Sequence, residues 1–485
     1  MRFTTVDPPA VTADTRKAAA IAFARIFIGV FWLFEVTVGH NWKIGGFGYG
    51  VNPGWLGEGA GDAVRDNVAT AVDDGTWSWV AALYENVMAP GAVAFSFIVI
   101  ALQVAFGLFF IAGFMVRPMA LAALTMDLSI FMLGNSRIPP FFMAAHLFLL
   151  YTGAGRFYGV DGWLMGRLRS ANGGLARVVA WLIDLPLLKS QRAQTVVMSG
   201  TALLAVYFFL QIPMRETTRM NLVAMELALL FGLIAAGFYF GRRASDRLSV
   251  VAALLRIFIG VKLLHEIWVR NEPGVNGLPG WAGEGAQAEL FETISANHWA
   301  PFAWVVDNAI LPALGFWIIV FGITQFAVGV MLVLGYRTRL AASVGLVYLG
   351  GLGVLGFTRY APFVFGLLVV VLALDAGRAL SLESRTLADR PPRYGLPVPA
   401  RAIPVLVALA AVNAVAAAIA VVASGGIAPD GYVESMGQMV TAMVAIFSGL
   451  FALLGWLQLR SSRQAAEVTD DAPQEDGTPR KVVPT

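Results

Sequence analysis

The sequence predicts an all-α polytopic membrane protein of about twelve transmembrane helices in two parallel halves of six helices, each half containing a four-helix bundle. Three observations predict this class. Hydrophobic residues make up 58% of the 485 residues and charged residues only 13%, whereas soluble domains carry about 25% charged residues. Apolar runs recur with nearly the 20 or so residues that a helix needs to cross a bilayer. Long stretches of the first half of the chain also return in the second half.

Twelve apolar runs are predicted to cross the membrane. With the N-terminus in the cytoplasm, most of the 34 Lys and Arg residues fall in cytoplasmic segments, as the positive-inside rule requires. We therefore expect a multi-pass protein of the plasma membrane with both termini in the cytoplasm. The first run contains Arg25 and Glu35 and has no clear cleavage site, so it is interpreted as a span and not as a cleaved signal. The predicted spans are 18–38, 88–115, 118–135, 139–156, 195–214, 220–241, 248–268, 310–335, 340–357, 361–377, 402–424 and 437–459.

Composition also excludes several kinds of chemistry. The chain has no cysteine, which excludes disulfides, thiol redox chemistry and cysteine-ligated clusters. It has four histidines without a metal-binding spacing such as HExxH, so no metal site is expected. Paired histidines at one depth, as axial haem ligation needs, are also missing, so no haem is expected. No Lys/Arg-rich nucleic-acid motif occurs; the expected partners are membrane lipid and a small-molecule substrate that the sequence does not name.

An internal duplication organises the chain. PGWLGEGA at Pro53 returns as PGWAGEGA at Pro279, and RIFIGV at Arg25 returns at Arg256. Residues 86–156 align with 308–378 without a gap, at a constant offset of 222. An even number of spans per half keeps both copies in one orientation, which predicts a pseudo-twofold axis along the membrane normal.

The duplication sets the predicted domains. Repeat 1 covers 18–164 and repeat 2 covers 248–380, and each is followed by two less similar helices. The remaining segments are a cytoplasmic tail (1–17), an inner-surface segment plus two spans (165–247), a linker plus two spans (381–460) and a disordered cytoplasmic tail (461–485).

The repeated unit resembles the DoxX/DoxD-like membrane family. Its first helix carries R-x-x-x-G, at Arg25 and again at Arg256, and a long external loop follows. A G-x-x-x-R turn joins its second and third helices, beginning at Gly113 and again at Gly335. The usual family unit is a single four-span domain. Members include the membrane subunit of a thiosulfate:quinone oxidoreductase, so the resemblance implies quinone as cofactor and a partner redox subunit.

Charged residues at membrane depth nominate the catalytic candidates. Lys262, His265 and Glu266 lie in VKLLHEIW, where i,i+3 and i,i+4 spacings place them on one face of a helix. Such a cluster could relay protons or hold a quinone carbonyl, or it could be a self-neutralised polar patch. Glu35 is the counterpart of Glu266 in repeat 1, and it could equally reach the outer headgroups or water.

Other polar residues are candidates for binding the cofactor. Gln103 and Gln325 are matched mid-span amides that either bridge helices or bind a ligand. Arg25 and Arg256 either snorkel to the inner surface or contribute to a site. We expect Gln325 to face one outward-opening cavity together with Lys262, His265 and Glu266.

Two further features could be structural or functional. The octapeptide has the composition of a turn, and its Trp281 and Glu284 either anchor the loop at the membrane interface or close a site as a lid. Asp127 and His146 have no counterparts in repeat 2 and could form a buried hydrogen bond.

Three functions remain open at the level of sequence. The first is a quinone-linked oxidoreductase component similar to the thiosulfate:quinone oxidoreductase membrane subunit. The second is a transporter of small molecules or lipids, which parallel repeats with charges inside the membrane would suit. The third is a non-catalytic membrane scaffold for a partner enzyme.

Overall fold

The computed structural model describes residues 15–37, 43–45, 51–135, 138–168, 173–186, 190–271, 284–357, 360–396, 398–399, 401–426 and 436–470. Helices dominate this part of the chain, and no β-strand occurs in it. The protein is an all-α polytopic membrane protein, as the composition predicts.

The helices follow one another with short connections. The first half contains α1 (Thr15–Thr37), α2 (Asp62–Asp73), α3 (Ser78–Leu83), α4 (Ala92–Ala112), α5 (Val116–Met132), α6 (Pro139–Thr152), α7 (Val160–Leu168), α8 (Gly174–Asp184), α9 (Gln191–Gln211) and α10 (Thr218–Gly241). The second half contains α11 (Arg247–Asn271), α12 (Glu284–Ala296), α13 (Ala300–Val305), α14 (Leu314–Leu334), α15 (Thr338–Val354), α16 (Tyr360–Ala373), α17 (Ser384–Ala388), α18 (Ile403–Ala423) and α19 (Met436–Asp470).

The predicted spans differ from these helices in length. Each of the twelve predicted spans coincides with a helix, but eight stretches in the described part are long and apolar enough to cross a membrane. Helices α5 and α15 have 17 residues, and α6 and α16 have 14. Fourteen residues rise only about 21 Å, less than the roughly 30 Å of hydrocarbon. Helix α6 ends at Thr152 and not at 156, because Gly153 adopts the left-handed conformation with φ 59° that ends helices.

The shortest helices are accommodated because protein covers them. All residues of α16 from Ala361 to Ala373 are buried except Phe365, and α16 packs against α1 and α11. Helix α6 likewise packs against α1 and α11. Polar backbone ends at membrane depth are tolerated where protein surrounds them.

The two halves interlock in a reciprocal way. The Phe27 ring of α1 lies 5.5 Å from the Phe363 ring of α16. The positions equivalent by the repeat offsets, Phe258 of α11 and Phe141 of α6, lie 5.3 Å apart. This symmetry supports the duplication, which remains a prediction, and it places α1 and α11 at the centre.

The glycine of the R-x-x-x-G pattern, which the first helix of each half shares, has a packing reason. A Cβ at Gly29 would lie 2.7 Å from the Gly107 carbonyl oxygen, and a Cβ at Gly260 would lie 2.8 Å from that of Gly329. Both distances are far below van der Waals contact, so α1 meets α4, and α11 meets α14, at a backbone approach that only glycine permits.

Two helical hairpins complete the fold. Helices α9 and α10 pair with each other, and α10 continues against α11; helices α18 and α19 pair in the same way against α1. Helix α19 extends to Asp470, beyond the boundary at 461 predicted for a disordered tail, because QAAEV consists mainly of good helix formers. Residues 471–485 lie outside the described part.

The surface segment after repeat 1 contains helix α8. Its Leu175, Val178 and Trp181 side chains are all exposed. An exposed apolar face on a short helix is typical of a segment lying in the membrane interface.

Candidate functional site

Three ionisable side chains meet between α10 and α11. The Lys262 ammonium group donates a hydrogen bond to Oε1 of Glu226. His265 Nδ1 lies 3.1 Å from the same oxygen and 3.5 Å from Lys262 Nζ. Lys262 and Glu226 are each 1% exposed. We call Glu226, Lys262 and His265 the buried ionic cluster.

Helix geometry explains how the cluster forms. Lys262 and His265 are three residues apart and so project from one face of α11. Glu226 comes from α10, which packs along that face. The sequence analysis did not name Glu226 as a site residue. Its partner lies 36 residues away, and the sequence gives no signal of how the two helices are rotated against each other.

Two buried atoms of the cluster have no hydrogen-bond partner among the described residues: His265 Nε2 and Glu226 Oε2. Buried polar atoms in native structures nearly always have partners, and leaving one without costs about 1–3 kcal/mol. The two atoms are therefore available to a ligand that offers both a donor and an acceptor.

A cavity of about 440 Å³ adjoins the cluster. Side chains of α9, α10 and α11 line it, among them Phe209, Met225 and Val261 together with the three cluster residues. Its size lies within the range of small-molecule sites, and such sites are mostly apolar with a few placed polar groups.

A second, apolar groove of about 210 Å³ runs between α6, α10 and α11. Its lining on α11 includes Val251, Leu255 and Phe258. Alternating steps of four and three residues continue this stripe to Lys262 and His265. Phe258 and Lys262 are one turn apart, about 6 Å along the helix axis, so the groove ends next to the cluster.

The same continuity holds for the other two walls. On α10, Gly237, Leu233 and Leu230 line the groove, and Glu226 lies one further turn along that stripe. On α6, the groove residues Ala144 and Phe148 share a face with Phe141, whose ring centroid is 5.4 Å from Lys262 Nζ. The apolar groove therefore ends at the buried ionic cluster.

Gln325 and Glu266 were predicted to face one cavity together with Lys262 and His265, but their environments differ. Gln325 Nε2 donates to the Leu263 carbonyl oxygen at 2.8 Å, and Tyr348 Oη donates to Gln325 Oε1 at 2.7 Å. The Gln325 amide thus links α14 to α11 and α15. Glu266 is buried at 3% exposure, yet neither it nor Gln325 belongs to the described lining of the 440 Å³ cavity.

Gln103 has a different environment from its counterpart. Its Oε1 is buried and has no hydrogen-bond partner within the described residues. The residue 222 positions before Tyr348 is Met126, which has no hydroxyl to donate. The matched amides therefore do not share one set of partners.

Arg25 and Arg256 contact carbonyl groups. Both are fully buried. Arg25 donates to the carbonyl oxygens of Phe110 and Ile111 at the end of α4 and to that of Tyr158 at 3.2 Å. Arg256 donates to the Leu380 carbonyl oxygen at 2.6 Å, 222 positions after Tyr158. These are helix-capping contacts inside the protein. Of the two alternatives, snorkelling to the inner surface is therefore wrong, and a contribution to a site stays a prediction.

The remaining candidates belong to the outer loops and to α1. Glu35 is half-buried. Trp281 and the side chain of Glu284 lie outside the described residues. In repeat 1 the octapeptide forms consecutive turns before α2, with Gly57 at φ 111°. Trp55 is buried and its ring lies 4.5 Å from Lys43 Nζ, so it packs within the protein.

Repeat 1 contains a different buried polar group. His146 Nδ1 lies 2.6 Å from Asp127 Oδ2, and Trp32 Nε1 donates to His146 Nε2 at 3.0 Å. Because the indole can only donate, Nε2 must accept, and the ring proton lies on Nδ1 towards Asp127. The pair suggested by the sequence is thus a chain of three side chains. Repeat 2 has leucine at all three equivalent positions, Leu263, Leu349 and Leu368.

No group of three or more potential metal ligands occurs in the described residues. The arrangement of the ionic cluster suits hydrogen bonding and proton exchange with a small organic ligand.

Comparison with known proteins gives a family match over part of the chain. Residues 71–185 match the family model described as TQO small subunit DoxD. Over these residues the chain is similar to DoxD. The DoxD match extends from the end of α2 to the end of α8, so it includes the Asp127–His146 pair and ends before the ionic cluster. No curated protein and no solved structure gives a significant match to the chain.

Proposed function

We propose that this DoxD-like protein is the membrane subunit of a quinone-linked oxidoreductase, and that the buried ionic cluster binds the quinone headgroup. The observation that supports the proposal is the pair of buried, unpartnered atoms, His265 Nε2 and Glu226 Oε2, beside a 440 Å³ cavity. The family description supplies the chemical class, because TQO denotes thiosulfate:quinone oxidoreductase.

The donor set fits both forms of the ligand. A quinone carbonyl needs a hydrogen-bond donor, and a quinol hydroxyl needs an acceptor. With Nδ1–H directed to Glu226, the neutral His265 ring has an acceptor at Nε2; once protonated, it has a donor there. A bound quinone would supply two-electron, two-proton redox chemistry, and His265 would exchange one of the two protons at Nε2.

The other two cluster residues have supporting roles. Lys262 and Glu226 form a pair whose charges cancel, so the neutral His265 ring adds no net charge to the cavity. The Glu226 carboxylate orients the imidazole through Nδ1, as a carboxylate hydrogen-bonded to Nδ1 commonly does for functional histidines. Glu266, buried one turn beyond Lys262, remains a proposed second carboxylate of this site. Glu35 is its proposed counterpart in repeat 1.

The apolar groove explains how a membrane quinone would lie. Its stripe of apolar residues on α11 reaches the cluster one turn after Phe258. The isoprenoid chain of the quinone would follow this groove between α6, α10 and α11, with the headgroup at Lys262 and His265. Because lipid tails are as apolar as the groove, this contact would contribute through van der Waals packing and not through transfer from water.

The proposal also includes a partner. The family description names a small subunit, which implies another subunit that oxidises the reductant, here a reduced sulfur compound such as thiosulfate. We place the protein in the plasma membrane with both termini cytoplasmic, as the distribution of Lys and Arg indicates. The outer loops, including Trp281 and Glu284, are the proposed docking and lid region.

The test is a binding measurement with matched histidine variants. Decylubiquinone would be titrated into the full-length protein in nanodiscs, with tryptophan fluorescence quenching as the readout. His265→Phe introduces the residue that repeat 1 has at the equivalent position, Phe34, and should weaken binding about tenfold through loss of one hydrogen bond. His146→Leu, matched to Leu368, is the control and should leave affinity unchanged.

Three outcomes would count against the proposal. Equal affinity in wild type and His265→Phe would remove the cluster from the binding site. Weakening only in His146→Leu would move the site to repeat 1. Absence of binding to folded wild type would favour a scaffold or transporter, and uptake assays would then be the next measurement.

A further inference from the structure

A polar cavity of about 250 Å³ lies at the basic end of the second half, far along the chain from the ionic cluster. It is formed where the turn before α15 meets the turn after α16 and the segment 383–393. Five arginines and two carboxylates line it, so positive charges exceed negative ones by three. The charged lining residues are Arg337, Arg339, Asp375, Arg378, Glu383, Arg390 and Arg393.

Backbone contacts fix the walls of this cavity. Arg339 Nη1 donates to the Arg393 carbonyl oxygen at 2.8 Å. Arg378 Nη2 donates to the Arg390 carbonyl oxygen at 2.6 Å, and the Arg393 amide donates to Asp375 Oδ2 at 3.1 Å. The segment 390–393 is therefore attached to the turn through its main chain, and the Arg390 and Arg393 side chains take no part in these three contacts.

The two carboxylates do not satisfy the guanidinium groups. Asp375 lies 3.7 Å from both Arg339 and Arg378, within ion-pair range but beyond hydrogen-bond distance. Glu383 accepts from the Thr338 amide at 3.1 Å. Arg378 Nη1 is buried without a hydrogen-bond partner among the described residues. An anion in the cavity would complete these bonds.

In the first half, a carboxylate of the protein contacts both of the equivalent arginines. Arg117 and Arg156 lie 222 positions before Arg339 and Arg378. Asp184 Oδ1, at the end of α8, accepts from Arg117 at 2.8 Å and from Arg156 at 2.5 Å. One carboxylate oxygen thus bridges the pair at bonding distance. Within the described residues of the second half, the carboxylate of Asp375 lies 3.7 Å from each of the two equivalent arginines, beyond bonding distance.

We propose that this arginine cavity binds a phosphate group. Guanidinium groups match phosphate oxygens in charge and geometry, and several arginines around one anion are typical of phosphate recognition. The group can belong to the headgroup of an anionic phospholipid, for which basic pockets beside transmembrane helices are suited, or to free phosphate. This site is independent of the proposed quinone function.

The test separates the two sources of phosphate. Native mass spectrometry would count phospholipid adducts on full-length protein released from membranes containing phosphatidylglycerol. Equilibrium dialysis would measure inorganic phosphate on the same protein in phosphatidylcholine nanodiscs. The double variant Arg390→Gln/Arg393→Gln keeps the backbone contacts. Arg167→Gln is the control, because its guanidinium lies 4.0 Å from the exposed Trp163 ring and outside the cavity.

We expect the double variant to lose about tenfold or more of the bound species, because each charged hydrogen bond contributes strongly, while Arg167→Gln behaves as wild type. Loss of lipid adducts with no phosphate binding assigns the site to a lipid headgroup. Loss of phosphate binding assigns it to the free anion. A wild type that binds neither species, or a double variant that retains both, would overturn the proposal.

Discussion

The buried ionic cluster makes a quantitative prediction about stability. Lys262→Met removes one charge of a pair in which each partner is 1% exposed. Breaking such a buried pair costs about 3–5 kcal/mol, because the remaining charge stays desolvated. His265 Nδ1 stays 3.1 Å from the Glu226 oxygen and partly compensates. We therefore expect a loss at the lower end, about 3 kcal/mol, which is roughly a hundredfold in the unfolding equilibrium.

A double-mutant cycle measures this coupling. Wild type, Lys262→Met, Glu226→Leu and the double variant would be unfolded with sodium dodecyl sulfate in dodecyl maltoside micelles and followed by circular dichroism. Each single variant removes one charge of the pair and keeps the other buried, whereas the double variant removes both. Apolar residues of similar volume in place of a buried pair are often neutral or stabilising, so the double variant should be more stable than either single variant.

Additivity would refute the reasoning. If the two single losses sum to the loss of the double variant within about 0.5 kcal/mol, the residues are not energetically coupled. The cluster would then not be a charge-balanced pair.

Three further predictions concern the scaffold. Gly29→Val should destabilise the same micelle unfolding transition by about 1–3 kcal/mol through overpacking against Gly107. Arg25→Met should cost more than about 2 kcal/mol, because buried carbonyl oxygens lose their donor. Burial lowers the pKa of the His298 imidazole, and its hydrogen bond to Val354 opposes this. The folded state therefore binds fewer protons than the unfolded state. The stability that His298 contributes is fully present above its ordinary pKa of about 6.5 and is lost as the pH falls through its lowered pKa. His298→Gln should remove this pH dependence from the free energy of unfolding.

Much of the helical scaffold could be predicted from sequence because its signals are local. Gly113 and Gly335 end α4 and α14 in the left-handed conformation, with φ 71° and 64°, and each stands directly after an apolar run. The R-x-x-x-G pattern marks a close helix contact that Gly29 makes possible. Composition and the positions of glycine are enough for such features.

The site depended on information that is not local. Lys262 and His265 could be grouped because three residues on a helix fix a shared face. Their partner Glu226 could not, because the rotation of α10 about its own axis is set by packing. For the same reason the sequence grouped Gln325 with Lys262 and His265, whereas its amide is directed to Leu263 and Tyr348. The shortness of α6 and α16 was also missed, since burial by neighbouring helices compensates for it.

The hydrogen-bonded chain of Trp32, His146 and Asp127 can be compared with the equivalent positions of repeat 2. Repeat 2 has leucine at all three positions, so apolar side chains can fill the same place in this fold. His146→Leu alone leaves Asp127, 2% exposed, without its partner and leaves the Trp32 N–H without an acceptor. We expect a loss of about 3–5 kcal/mol from the buried carboxylate if it is ionised.

The triple variant Trp32→Leu/Asp127→Leu/His146→Leu should lose much less than the sum of its single variants, because no buried polar atom then lacks a partner. Removing an indole leaves a cavity, which itself costs about 3–5 kcal/mol, so stability near that of Trp32→Leu alone is expected in micelle unfolding. A triple variant that fails to fold while each single variant folds would mean that the polar chain is required for this half. A folded triple variant with unchanged quinone affinity would separate the polar chain from the ionic cluster, and would support a binding site at that cluster.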